Sequence, residues 1–149
     1  MLDALLDPST RLGTSTPIAD PAGDYAWQLF ETADRLRPGA GATLQGKARQ
    51  LVGGAAGAPP VPAGRNAQAF YLSSGVVDVF LYYCSGSGVI RKDTSSIAAT
   101  ALPPALNVSA DYGLAVLTGA SAAGERLAAL LLAPTGQRTL MDAGFLSIE

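Results

Sequence analysis

The stretch Arg11–Gly39, RLGTSTPIADPAGDYAWQLFETADRLRPG, decides the fold. Its first six residues, Arg11 to Thr16, read as a short strand. Pro17–Gly23 (PIADPAG) is a turn-rich connection. From Asp24 the apolar residues Tyr25, Ala26, Leu29, Phe30, Ala33 and Leu36 fall on one face of a helix, which Pro38-Gly39 stops. A strand leading through a tight turn into an amphipathic helix is the repeating unit of α/β architecture.

Working outward, the same alternation continues. A second helix is expected over Thr43 to Val52, with Leu44, Ala48, Leu51 and Val52 on one side. Gly53 to Pro62 (GGAAGAPPVP) is a Gly/Pro linker. A third helix opens after Gly64, with Ala67, Phe70 and Tyr71 inward, and ends at Gly75. Val76–Tyr83 (VVDVFLYY) reads as a buried strand, its one charge, Asp78, near the start. Further strands are expected at Val89–Arg91, Ile97–Leu102 and Tyr112–Leu117, and helices at Ala122–Leu132 and, after Pro134, at Thr135–Ala143. The fold class is α/β, with a partly parallel sheet flanked by helices.

Composition removes several functions. Apolar residues make up 48% and charged residues 15%, enough for a core and too few charges for a disordered chain. Ten basic residues stand against twelve acidic ones, with no Lys/Arg run to hold a nucleic-acid backbone or an anionic membrane. The absence of His excludes Ser-His-Asp and Cys-His catalysis and any imidazole-based zinc site. A single cysteine, Cys84, allows no internal disulfide and no CxxC motif. No paired carboxylates suggest acid–base work, so no catalytic residue, cofactor or metal site is expected. The start, MLDALLDP, lacks the basic segment of a signal peptide, and no apolar run approaches the roughly 20 residues that cross a bilayer.

The most informative feature is an internal echo. Pro21-Ala-Gly-Asp-Tyr-Ala26 and Pro62-Ala-Gly-Arg-Asn-Ala67 share the pattern PAGxxA, and each is read as opening a helix. A helix start leaves up to four backbone N–H groups without intrahelical partners, at the positive end of the dipole. Two starts facing one crevice would bind an anion through neutral donors. Two ordinary helix caps would look the same in sequence. Asp24 is accounted for by first-turn capping. Tyr82 and Tyr83 end the Val76–Tyr83 strand, where α/β folds place ligands, and only one of them can face a given site. Cys84 has no His to activate it and reads as a small apolar residue. SGSG (Ser85–Gly88) lacks the Lys-Ser/Thr of a phosphate loop.

In order, RLGTSTPIADPAGDYAW (Arg11–Trp27), VPAGRNA (Val61–Ala67), GVVDVFLYYCS (Gly75–Ser85), ADYGLAVL (Ala110–Leu117) and LLAPTGQRTLMDAGF (Leu131–Phe145) resemble the periplasmic molybdate-binding proteins of ABC transporters. The resemblance implies a type II binding-protein lobe that holds a tetrahedral oxyanion, molybdate or tungstate, by amides, hydroxyls and one tyrosine. Carried onto this chain, the ligands are the amides of Ala22 and Gly23, the amide of Arg65 and the phenol of Tyr83. The implied organisation is an oxyanion-binding second lobe over 1–85, a crossover over 86–103, and a segment over 104–149 that would complete a first lobe. That first lobe, with its two hydroxyl ligands and the secretion signal, is expected to be absent. Each lost donor would cost roughly 1.5–3 kcal/mol of binding.

The resemblance further implies a periplasmic location and an ABC-transporter permease as partner. The unpartnered apolar faces of 104–149 suggest a homodimer through that C-terminal segment. The alternative function is a binding-protein-like interaction or ligand-sensing module that dimerises and has lost the anion.

Overall fold

The computed structural model describes residues 1–54 and 56–148, arranged as two compact units, Met1–Ser109 and Ala110–Glu149. The first unit is an α/β lobe. Its elements are α1 (Leu2–Leu6), β1 (Leu12–Ser15), α2 (Pro21–Leu36), α3 (Ala40–Lys47), β2 (Arg49–Val52), α4 (Ala67–Ser73), β3 (Val79–Phe80) and, after a 3-10 turn at Cys84–Gly86, α5 (Ser87–Asp93).

The three strands form a parallel sheet in the order β2-β1-β3. Gly13 pairs with Arg49 on one side and with Phe80 on the other. All four residues of β1 are buried, as the central strand of a sheet covered on both faces must be. Strand alternation then divides the core. Leu12, Val79 and Leu81 pack with Leu29, Phe30 and Ala33 of α2 and Leu44 of α3. Phe80, from the opposite face of β3, joins Leu51, Tyr71 of α4 and Val77. Gly13 belongs to that second face: a Cβ there would lie 2.7 Å from the Phe80 ring.

Local chemistry sets the ends of the elements. Asp20 caps α2 by accepting from the Ala22 amide at 3.0 Å, and Pro21 occupies the first turn, where its missing N–H costs nothing. Residues 22, 23, 26, 29, 30 and 33 form the buried face of α2. Asp34 Oδ1 then accepts from the Gly39 and Gly41 amides at 2.9 and 3.0 Å, so the end of α2 caps the start of α3. Lys47 Nζ donates to the Leu5 and Asp7 carbonyls, and Arg37 pairs with Asp3, which ties down α1. Arg11 ties the chain just ahead of β1 to that just ahead of β3: its amide and Nε donate to Asp78 Oδ2 at 2.8 and 2.9 Å, and its guanidinium also reaches Asp78 Oδ1 and the Gly75 carbonyl. That pairing holds the Asp78 carboxyl down at about 2.

Several expected elements change. The helix expected over Thr43–Val52 ends at Lys47, and its second half is strand β2. Leu44, Ala48, Leu51 and Val52 do share a helical face, but β2 is an edge strand with only Leu51 buried, so it shows no alternation to read. The strand expected over Val76–Tyr83 narrows to Val79–Phe80. The Val76 and Val77 amides instead donate to the Tyr71 carbonyl at the end of α4. Val89–Arg91, expected as a strand, lies in α5, where Ile90 alone is buried. Ile97–Leu102 and Tyr112–Leu117 form no strand among the described residues.

The second unit holds α6 (Ala122–Leu132) and α7 (Pro134–Asp142), two helices joined at Ala133. Ser121 caps α6 by accepting from the Gly124 amide at 3.3 Å. A Cβ on Gly136 would sit 2.0 Å from the Leu130 carbonyl oxygen, so only glycine lets the first turn of α7 meet the last turn of α6. Gln137 bridges by donating to the Leu131 carbonyl and accepting from the Ile148 amide.

Candidate functional site

In a parallel sheet the crevice beyond the carboxyl ends of the strands is the natural place for a ligand. Here that edge gathers Thr16 after β1, Gly53 after β2, Tyr83 beyond β3 and the first turn of α2. Thr16 is pinned there, its amide and its hydroxyl both donating to the Val52 carbonyl at 2.8 Å. The Asp20 amide donates back to the Thr16 carbonyl at 3.0 Å. Gly53, at φ +85°, lies against Asp20: a Cβ there would be 2.8 Å from the Asp20 Cβ. Ile18, on the loop into α2, adopts φ +69° and is 96% exposed, an apolar residue standing on the rim in a conformation β-branched residues avoid.

The structure brings Tyr83 against α2. Its ring meets Tyr25 of α2 edge-on at a centroid separation of 6.0 Å and leans on Tyr82 at 5.5 Å. Tyr82 also packs over Gly86. Of the adjacent pair, Tyr83 is the one beside α2.

Ala22 and Gly23 lie in the first turn of α2, both buried. Their amides are engaged: Ala22 N–H donates to Asp20 Oδ1 and Gly23 N–H to the Asp20 carbonyl at 2.8 Å. The missing side chain of Gly23 serves packing. A Cβ would fall 2.4 Å from the Thr16 carbonyl carbon and 2.5 Å from Pro17 N, so glycine is what lets α2 close onto the end of β1.

The two PAG sequences are not structural equivalents. Pro21-Ala22-Gly23 is the first turn of α2, whereas Pro62-Ala63-Gly64 lies in a turn ahead of α4, with Gly64 at φ +80° and the Arg65 amide donating to the Pro62 carbonyl at 3.2 Å. The helix expected to open after Gly64 begins at Ala67, capped by Asn66, whose side chain accepts from the Ala69 amide at 2.9 Å. The Arg65 side chain points away into an ion pair, its Nε 3.0 Å from both Asp93 oxygens. Arg65 therefore anchors its turn to α5.

Three residues at this edge escaped the sequence reading. Asp20 is the cap; Asp24 instead accepts from the Ile18 amide at 2.8 Å. Asp-Pro at a helix start is a capping signal in its own right. Thr14 and Ser15 are completely buried on β1 with hydroxyls that find no partner among the described residues, a feature only burial could show. Cys84 is an exposed free thiol. Among the described residues no cluster of three or more His, Cys, Asp or Glu is placed to hold a metal, and no helix is long and apolar enough to cross a membrane.

A sequence profile of the bacterial extracellular solute-binding proteins matches residues 1–146. The chain belongs to this family. The open parallel sheet with helices on both faces is what a lobe of such a solute-binding protein requires. The uncharacterized protein PM1146 of Pasteurella multocida (strain Pm70) is 39% identical over 146 residues, 97% of this solute-binding chain and 58% of the Pasteurella protein. The chain thus spans a little over half the length of that relative. No solved structure matches it.

Proposed function

We propose that this lobe binds a tetrahedral oxyanion of the molybdate or tungstate type at the carboxyl edge of the sheet, as part of the solute-binding component of an ABC transporter that works in the periplasm with a membrane permease. The observation that supports the reading is the contact of the Tyr83 ring with Tyr25 of α2, the helix whose first turn holds Ala22 and Gly23. A helix start and a hydroxyl donor together suit a dianion that neutral groups must hold. The donors are the Ala22 and Gly23 amides and Tyr83, with the Arg65 amide joining when it exchanges the Pro62 carbonyl for the ligand. Asp20 is the opposing element: its carboxylate occupies the Ala22 amide and has to swing off before an oxyanion can take its place.

A second reading is favoured by the same hydrogen bonds. The Ala22, Gly23 and Arg65 amides all have protein partners, which suits an interaction or sensing module that no longer takes an anion. Titration calorimetry with molybdate, tungstate and sulfate separates the two. Under the oxyanion reading molybdate and tungstate bind, sulfate does not, and Tyr83→Phe weakens binding by about 10-fold, the worth of one charge-assisted hydrogen bond. Absence of heat with all three anions would refute that reading and leave the second.

A further inference from the structure

Among the described residues Ile18 is the one non-glycine with a positive φ, +69°. A β-branched side chain fits that region badly, because its Cβ crowds the following carbonyl. Packing could offset the strain, but Ile18 is 96% exposed and its side chain has nothing to pack on. The surrounding hydrogen bonds must hold it instead.

Those bonds form a short chain that ends at the start of α2. The Asp20 amide donates to the Thr16 carbonyl at 3.0 Å and closes a turn over Pro17, Ile18 and Ala19. The Ile18 amide donates to Asp24 Oδ1 at 2.8 Å, so α2 holds the strained residue from the other side. Thr16 is fixed by its two bonds to the Val52 carbonyl, and the turn therefore cannot relax by shifting its base. What this turn presents is Asp20. Its carboxylate accepts from the Ala22 amide at 3.0 Å and its carbonyl from the Gly23 amide at 2.8 Å. Returning Ile18 to an ordinary negative φ is a rotation of about 130°, which redirects the chain beyond it while Thr16 stays in place. Asp20 is two residues beyond it.

We infer that the Pro17–Asp20 turn is a strained latch. With Ile18 left-handed it holds Asp20 on the Ala22 amide, and it opens when Ile18 returns to negative φ and carries Asp20 off the start of α2. The strain is stored in the closed form alone, so it brings the open form within easier reach. Glycine or asparagine at this position would adopt the conformation at little cost and leave the latch shut. Isoleucine keeps it sprung. Its use as a gate rests on the oxyanion reading, because Asp20 is what an incoming dianion has to displace; the coupling of Ile18 to Asp20 does not.

Amide exchange at Ala22, followed by NMR on the intact chain, tests the coupling without any anion. The variants are Ile18→Gly and Ile18→Asn, both at ease with positive φ, and Ile18→Val, β-branched like the residue it replaces. In the unaltered chain Ala22 is expected to exchange faster than Leu29 deeper in α2, because it is released by local opening. Ile18→Gly and Ile18→Asn are expected to slow Ala22 by about 5- to 30-fold, the factor by which left-handed strain favours opening, and Ile18→Val to leave it unchanged. Molybdate calorimetry reads the same latch: because opening precedes binding, Kd rises by that same factor in the first two variants and not in the third. Equal Ala22 exchange in all four proteins, slowing by Ile18→Val as well, or an Ala22 amide as protected as that of Leu29 in the unaltered chain would each overturn the inference. Exchange that follows residue 18 in a chain giving no heat with molybdate would uphold the latch and remove the oxyanion reading. Molybdate binding with exchange indifferent to residue 18 would do the reverse.

Discussion

Two glycine-to-alanine substitutions, alike on paper, should move stability in opposite directions. At Gly23 the added Cβ would lie 2.4, 2.5 and 2.6 Å from Thr16 C, Pro17 N and Thr16 O. All three are backbone atoms, and ordinary contact begins near 3.4 Å, so something must retreat by about 1 Å. Thr16 cannot give way easily, because two hydrogen bonds hold it to the Val52 carbonyl and Pro17 is stiff. The start of α2 has to move instead, at a cost of about 1–3 kcal/mol. At Gly46, exposed in α3, a Cβ meets nothing within 4 Å. There alanine gains about 0.5–1 kcal/mol by lowering the entropy of the unfolded chain and favouring the helix.

Urea unfolding followed through Trp27, whose ring lies 5.2 Å from Phe30 in the core of this unit, reads both variants. With a slope of about 2 kcal/mol per molar, the Gly23→Ala midpoint falls by about 0.5–1.5 M and the Gly46→Ala midpoint rises by about 0.25–0.5 M. A Gly23→Ala midpoint at or above that of the unaltered chain would refute the close approach of α2 to β1. The geometry of the candidate site would fall with it.

Asp20→Asn keeps a side-chain oxygen for the Ala22 amide and removes a negative charge beside the proposed dianion. Allowing for solvent screening of the few kcal/mol between such neighbours, molybdate affinity by calorimetry should tighten about 10- to 100-fold; an unchanged affinity would mean that Asp20 does not face the anion. Asp78 titrates at about 2 in the folded lobe against 3.8 for a free carboxyl, because Arg11 hydrogen-bonds to it. Its folded value is the lower one, so the Arg11 pair supports the fold fully above about pH 4 and loses that support as pH falls toward 2. Asp3, lowered by Arg37, and Asp7, lowered by Ser9, act in the same direction. Acid unfolding of Asp78→Asn should therefore show a shallower loss of stability between pH 4 and 2 than the unaltered chain, and superimposable curves would remove Asp78 from the acid response.

What could be read from sequence was what a single element determines for itself. The buried face of α2 is written in Ala26, Leu29, Phe30 and Ala33, and α6 and α7 are bounded by Ser121 and Pro134 as local capping chemistry demands. What a residue's neighbours determine could not be read. Arg49 and Gln50 look nothing like a strand until β1 lies beside them, and Val89 and Ile90 favour a strand until one of them is left in solvent. The site divides along the same line. Pro21 and Gly23 could be read as a helix start, but that Asp20 holds the Ala22 amide, and that Thr16 fills the space beside Gly23, are facts of tertiary contact. The second PAG misled because the same three letters serve a helix turn in one place and a left-handed Gly64 turn in the other.

The order of the sheet also sets a clock. β1 is the central strand, yet one of its neighbours, β3, lies 67 residues further along, with Leu12 opposite Val79. A ribosome adding about 5–20 residues per second needs roughly 3–13 s to make that stretch. Throughout that interval the first strand waits half-paired. Such long-range parallel pairing is slow even once both strands exist. The newborn chain is thus at its most adhesive after Leu12–Ser15 has emerged and before Val79–Phe80 arrives, and this window is when a chaperone would do most for its yield.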